Sequence, residues 1–160
     1  MKCSDSLNHQ EQKIVLKEYR EKRDFHETGE PEGNEKADRG NVYVIQKHQA
    51  TRLHYDLRLE MGGVLKSWAV PKTPPAKSGV KRLAVQVEDH PIDYASFEGT
   101  IPDGQYGAGT VEIWDKGEYS MKSKSDKKMV FEIKGLKLQG IYCLVRSKGD
   151  KNWLFFKKKE

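Results

Sequence analysis

The stretch "HQATRLHYDLRLEMGGVLKSWAV", residues 48–70, decides the fold. From Leu53 it alternates: Leu53, Tyr55, Leu57 and Leu59 are apolar, while His54, Asp56, Arg58 and Glu60 are polar. Side chains two apart on a strand share a face, so a period of two predicts a half-buried strand and excludes a helix here. "MGG" at 61–63 supplies a hairpin turn, and "GGVLKSWAVP" is the returning strand. His54, Asp56 and Arg58 then project together, roughly 7 Å from one to the next. Taken alone, such a row reads as the wet face of a strand. With His48 nearby it is also a candidate set of metal ligands.

Outward from this hairpin the pattern repeats. "NVYVIQ", "RLAVQVED", "TVEIWD", "GEYSM", "MVFEIKG", "KLQGIYCLVR" and "NWLFFKK" are further short strands, with turns at "KGLK" and "SKGDKN". "DKG" at 115–117 predicts a second hairpin between "TVEIWD" and "GEYSM". "PKTPPAKSG" interrupts the order with three prolines, and "KSKSDKK" (122–128) and the terminal "KKKE" are expected to be solvated loops and tail. Short strands, Gly-rich turns and no helical period imply an all-β fold, an antiparallel barrel or sandwich. Closure into a barrel would remove exposed strand edges.

The folded body is placed at residues 41–160 and an arm at 1–40, which holds only 9 apolar residues. "NHQEQKIVLKEYREKR" in the arm predicts a short helix, and "ETGEPEGNEKADRG" a loop or disordered segment. The arm carries 8 Lys/Arg and 10 Asp/Glu, against 21 and 14 in the body. The basic body favours an anionic partner such as nucleic acid. Two cysteines, Cys3 and Cys143, offer neither a disulfide framework nor a thiolate zinc site. The N-terminus lacks the apolar stretch of a signal peptide, and no apolar run approaches the ~20 residues that span a bilayer. A cytoplasmic protein with no membrane partner is expected.

His48, His54 and Asp56 offer two imidazoles and a carboxylate, a set that leaves coordination positions open, as catalytic sites require. Mixed nitrogen and oxygen ligands suit Mn, Fe, Co or Zn, and ligand type does not choose among them. "RLAVQVEDHPIDY" ends a strand with Glu88, Asp89 and His90, and His90 could donate a proton or bond a phosphoryl oxygen. Arg58, Lys66, Lys72 and Arg82 are candidate anion contacts, with an ion pair from Arg58 to Asp56 or Glu60 as the competing reading. "FEGTIPDGQYGAGTVEIWDKGEY" holds five glycines but is not a phosphate loop. Gly104, Gly107 and Gly109 are read as turn residues, and Tyr106 as a packing residue with base stacking the alternative.

Four segments in this order, "RDFHETGEPEG", "VIQKHQATRLHYDLRLEMGGVLKSWAVPK", "KRLAVQVEDHPIDYASFEGTIPDGQYGAGTVEIWDKGEY" and "WLFFKK", strongly resemble the 3′-phosphoesterase domain of bacterial DNA ligase D. The resemblance covers about residues 20–157. It implies a compact antiparallel β-barrel with a crescent-shaped polar groove. It further implies healing of 3′ ends with manganese preferred, other divalent ions such as Co²⁺ or Zn²⁺ being alternatives. A terminal 3′ ribonucleoside is removed to leave a 3′-phosphate, which is then hydrolysed to a 3′-OH. By motif position His48, His54 and Asp56 match the metal ligands, and Arg58, Arg82 and His90 match contacts to the phosphate. Gln46, Ser67, Lys72, Glu88, Asp89 and Tyr94 match positions close to the site. Arg23, Asp24 and Glu30 match an arm that matters for the diesterase step. No ligase lysine motif or polymerase domain accompanies these segments, so a separate ligase, polymerase or end-binding protein is the expected partner of a monomer. A basic barrel that holds nucleic acid without cutting it is the alternative function.

Overall fold

The computed structural model describes residues 16–33 and 40–159. After a short helix α1 (Lys17–Glu21) come β1 (Val42–Gln49), β2 (Leu53–Met61), β3 (Val64–Val70) and β4 (Lys81–His90). A 3-10 helix (Ile92–Ser96) leads to β5 (Gly99–Ile101), β6 (Gly109–Lys124), β7 (Lys128–Gly135), β8 (Gln139–Arg146) and β9 (Asn152–Lys157). All pairings are antiparallel, in the order β1-β2-β3-β4-β9-β8-β7-β6, and β6 pairs back onto β1. Eight strands thus close a barrel, and β5 extends the sheet beside the first residues of β6. No helix among the described residues is long and apolar enough to cross a membrane.

The β2–β3 hairpin forms as its pattern requires. Gly62 and Gly63 take φ of 64° and 84°, the left-handed region that side chains avoid. The turn sets Met61 opposite Val64 and Leu57 opposite Trp68. Tyr55, Leu57 and Leu59 therefore point inward with Ile45, Trp68, Phe131 and Phe155. Each fully buried Leu or Phe contributes roughly 1.5–3 kcal/mol, so this interior carries most of the fold's stability. Leu53, at the mouth of the row, stays 45% exposed.

The other face of the same strands is the surprise. Gln46, His48, Asp56, Arg58, Ser67 and His90 are polar, yet all are buried. The N-terminal segment and the 3-10 helix cover them: Tyr19 packs with Leu65 and Tyr94, and Phe25, Ala95 and Phe97 close around that cluster. The Tyr19 hydroxyl donates to the Pro31 carbonyl, tying α1 to the segment that follows. Of the helix expected over 8–23, residues 17–21 are helical, and the part before Leu16 lies outside the described residues. Residues 22–33 have neither helix nor strand, as expected for 27–33, whereas Lys22 and Arg23 fall outside the helix they were expected to join; 34–39 lie outside the described residues.

Two expectations are corrected. "DKG" is not a hairpin, because β6 runs unbroken through it. The Asp115 carboxylate accepts N–H groups from Leu136, Lys137 and Leu138 and the Tyr43 hydroxyl, at 2.7–2.9 Å. It is a buried clamp on the β7–β8 turn. Gly117 lets β6 approach β7 closely: a Cβ there would sit 2.1 Å from the Lys134 carbonyl oxygen. "KSKSDKK" is solvent-exposed as expected, but its first three residues finish β6 and its last begins β7, which leaves a tight turn at 125–127.

Candidate metal centre and phosphate cleft

The β1–β2 register sets His48 directly opposite His54, and Asp56 follows two residues along the same face. The Asp56 Oδ2 atom lies 3.7 Å from His48 Nδ1 and 3.4 Å from His54 Nε2. One donor atom from each of the three residues lies within 4.8 Å of the others. The remaining ring nitrogens are committed: His48 Nε2 donates to the Gly107 carbonyl at 2.7 Å, and His54 Nδ1 to the Arg52 carbonyl at 3.0 Å. Each bond fixes the tautomer that aims a lone pair at Asp56, as a metal-binding histidine needs. The donor set therefore fits a divalent cation. Burial works against the Asp56 charge, but the Arg58 guanidinium beside it holds the carboxyl well below the usual range. His54 is shifted upward, against its burial, by the same carboxylate.

Arg58 lies beside the triad with Nη2 3.5 Å from Asp56 Oδ2. Its Nε donates to Gln46 Oε1 at 2.6 Å, its Nη1 donates to Ser67 Oγ at 2.8 Å, and its guanidinium sits 4.8 Å over the Tyr94 ring. Gln46 is held in turn by the Tyr94 and Phe97 carbonyls at 2.8 and 3.0 Å. Arg58 has five N–H donors, so two anchored donors leave others for an anion. The expected ion pair to Asp56 exists, but it is part of this fixed cluster. Glu60 is turned to other work, accepting the Gly40 and Val42 N–H groups.

The described arm completes the wall. Arg23 donates to Glu30 Oε2 at 2.9 Å, Glu88 Oε2 at 3.2 Å and His90 Nε2 at 3.3 Å. The Tyr94 hydroxyl donates to the same Glu30 oxygen at 2.7 Å. Lys22 also pairs with Glu88 at 3.2 Å. His90 donates from Nδ1 to the Glu88 carbonyl at 2.9 Å, and its Nε2 lone pair faces Arg23. Burial, then Arg58 and Arg23, push its pKa well below the ordinary value. In the free protein His90 is thus held neutral, with Nε2 open as a proton acceptor.

A cleft of about 220 Å³ gathers Arg23, Glu30, His48, His54, Asp56, Arg58, Glu88, His90 and Tyr94. Six expected residues do not line it. Arg82 donates to the Thr73 carbonyl at 2.8 Å and pairs in register with Phe155 of the interior. Lys72 is exposed on the β3–β4 connection. Asp89 alternates away from Glu88 and His90 to pair with Lys66 at 3.0 Å. Asp24 is exposed and accepts from the His26 N–H in a local turn. Gln46 and Ser67 lie behind Arg58 and accept its Nε–H and Nη1–H. Sequence reasoning missed Gly107, whose backbone carbonyl orients His48 and has no sequence signature, and Lys22 and Tyr19. The spacing of Tyr19 and Arg23, one helical turn apart, was the available signal.

A profile of the DNA ligase D 3′-phosphoesterase domain matches residues 46–146, which contain the triad, Arg58 and His90. The chain belongs to the DNA ligase D 3′-phosphoesterase family. It is 49% identical over 156 residues to the multifunctional non-homologous end joining protein LigD of Pseudomonas aeruginosa, covering 91% of this chain. It is 47% identical over 145 residues to the protein of that name from Mycobacterium bovis, covering 87% of this chain. The protein of that name from Mycolicibacterium smegmatis is 45% identical over 158 residues. The chain spans about a fifth of the length of these relatives, 19–21%.

Proposed function

We propose that this chain is a divalent-metal-dependent phosphoesterase that heals nucleic-acid 3′ ends during non-homologous end joining. In a first hydrolysis the bond from phosphorus to the 5′ oxygen of a terminal ribonucleoside breaks, leaving a 3′-phosphate. In a second, water releases that phosphate to leave a 3′-OH. The observation that supports this best is the convergence of His48 Nδ1, His54 Nε2 and Asp56 Oδ2 beside an immobilised Arg58. His48, His54 and Asp56 would hold the ion, with Mn²⁺ the preferred candidate and Co²⁺ or Zn²⁺ compatible with the same donors. A bound divalent cation there neutralises phosphate charge and polarises phosphorus.

The chain's own groups do the rest. Arg58 donates to the equatorial oxygens as they gain charge, and Gln46, Ser67 and Tyr94 keep its fork in place. His90 takes up at Nε2 the proton of the attacking hydroxyl group and gives it to the departing oxygen. Glu30 and Glu88 keep Arg23 at the wall of the cleft. Residues 41–160 form the catalytic barrel, and the arm contributes through residues 23–31. The protein works as a cytoplasmic monomer on 3′ ends that a separate ligase or polymerase then uses.

The test is a primer–template ending in a ribonucleotide, incubated with a panel of divalent metals. Shortening by one nucleoside, a 3′-phosphate product and its later loss are expected with Mn²⁺. Turnover that persists in chelator refutes the metal role, and binding without product in any metal supports a non-catalytic barrel. With a ribose on the upstream nucleotide, a 2′,3′-cyclic phosphate identifies the 2′-OH as nucleophile. A heavy-oxygen label taken up from solvent identifies water.

A further inference from the structure

We propose that Tyr106 is the stacking platform for the base of the nucleotide whose 3′ phosphate enters the cleft. This rests on reading the cleft as a site for 3′ ends. Four large hydrophobic side chains are exposed among the described residues, Leu53, Leu83, Tyr106 and Leu136, and of these Tyr106 alone lines the cleft. With 46% of its surface in water it is not a packing residue.

Its position is fixed. The loop before β6 is closed by the Gln105 N–H on the Pro102 carbonyl at 3.2 Å and the Ala108 N–H on the Gln105 carbonyl at 3.1 Å. The neighbouring Gly107 carbonyl is bonded to His48 at 2.7 Å. Lys22 Nζ and Arg23 Cζ lie 4.8 and 5.3 Å from the Tyr106 ring centre. Arg23 in turn touches His90. The ring therefore stands one guanidinium away from the phosphate wall, with two cations over it, the Lys22 ammonium donating to its hydroxyl at 3.4 Å, and close to half of its surface in water for a base to reach. Every base has a π-face, so stacking holds an end without reading its sequence. An end-healing enzyme needs that tolerance.

Tyr106 also touches the arm, so the test must separate stacking from anchoring. The probe is a single-stranded oligonucleotide ending in a non-hydrolysable 3′-methylenephosphonate, with its terminal base present or abasic, titrated in Mn²⁺ into the full chain. Tyr106→Ala should weaken binding of the intact probe roughly tenfold and cost nothing further on the abasic probe. Tyr106→Trp should restore affinity and Tyr106→Leu should not. Penalties that add between Tyr106→Ala and the abasic probe, or full affinity in Tyr106→Ala, overturn the proposal. A parallel turnover assay on the ribonucleotide primer tells the two readings apart. No product despite a base-dependent Tyr106 contact removes catalysis and keeps stacking, whereas normal product with base-independent binding removes stacking and keeps catalysis.

Discussion

His48 and His54 face each other across β1 and β2 with ring centres 4.8 Å apart, and each gives one nitrogen to a backbone carbonyl. The sheet register and the two carbonyls orient the pair. The consequence is measurable. His48→Ala and His54→Ala should each abolish high-affinity Mn²⁺ binding in calorimetry and lower turnover at least ~10²-fold, with the thermal melt of the barrel little changed. In the wild-type protein, saturating Mn²⁺ at about a hundred times its Kd should raise stability by about 2.7 kcal/mol, and chelation should remove that gain.

Arg58→Lys should fail almost as badly as Arg58→Ala, losing ~10²–10³-fold in kcat. A lysine cannot hold Gln46 Oε1 and Ser67 Oγ together with an anion, because it lacks the planar fork. Gln46→Ala should cost less, about tenfold, since it loosens the guanidinium without removing it. Wild-type rates in Arg58→Lys would show that only charge is needed there.

Arg23→Ala should release the arm. The substitution leaves Glu30 and Glu88 buried without their shared cation, a loss of about 3–5 kcal/mol when a buried pair is broken. Protease cleavage and hydrogen exchange should rise across residues 16–33 while the barrel stays protected. Unchanged protection of that segment would mean that Tyr19 and Phe25 packing alone holds it.

His90 makes stability depend on pH. Its folded pKa lies below the unfolded value of about 6.5, so below that pH the unfolded chain binds a proton that the folded protein excludes. Its contribution is present above pH ~6.5 and is lost as the pH falls through that value. His54, shifted the other way, acts with opposite sign. In metal-free protein His90→Asn should therefore remove part of the acid-side loss between about pH 7.5 and 5.5, read by urea melts. Identical slopes in the two proteins would show that His90 does not titrate as its burial requires.

Asp115→Ala should destabilise the barrel by about 3 kcal/mol or more, because three N–H donors and the Tyr43 hydroxyl lose their acceptor. Denaturant midpoints measure this, and Mn²⁺ affinity of the protein that remains folded should be unaffected, since Asp115 lies outside the cleft.

Local pattern was enough for much of this. The alternation from Leu53 to Glu60 and the two glycines after Met61 determined a strand, its turn and the row that carries His54, Asp56 and Arg58. The order of four motifs determined the family. Strand pairing and turn chemistry depend on neighbours in the chain, so they are visible in it. "DKG" misled for the complementary reason: whether Gly117 ends a strand or lets two strands touch depends on Lys134, which is distant in sequence. Only the tertiary structure decided that Asp56 and Arg58 of the polar row are buried rather than wet, while His54 stays half-exposed at its mouth. It also decided that His90 is neutral and that Gly107 orients His48. Burial and electrostatics are sums over everything that packs nearby, and no window along the chain contains that sum.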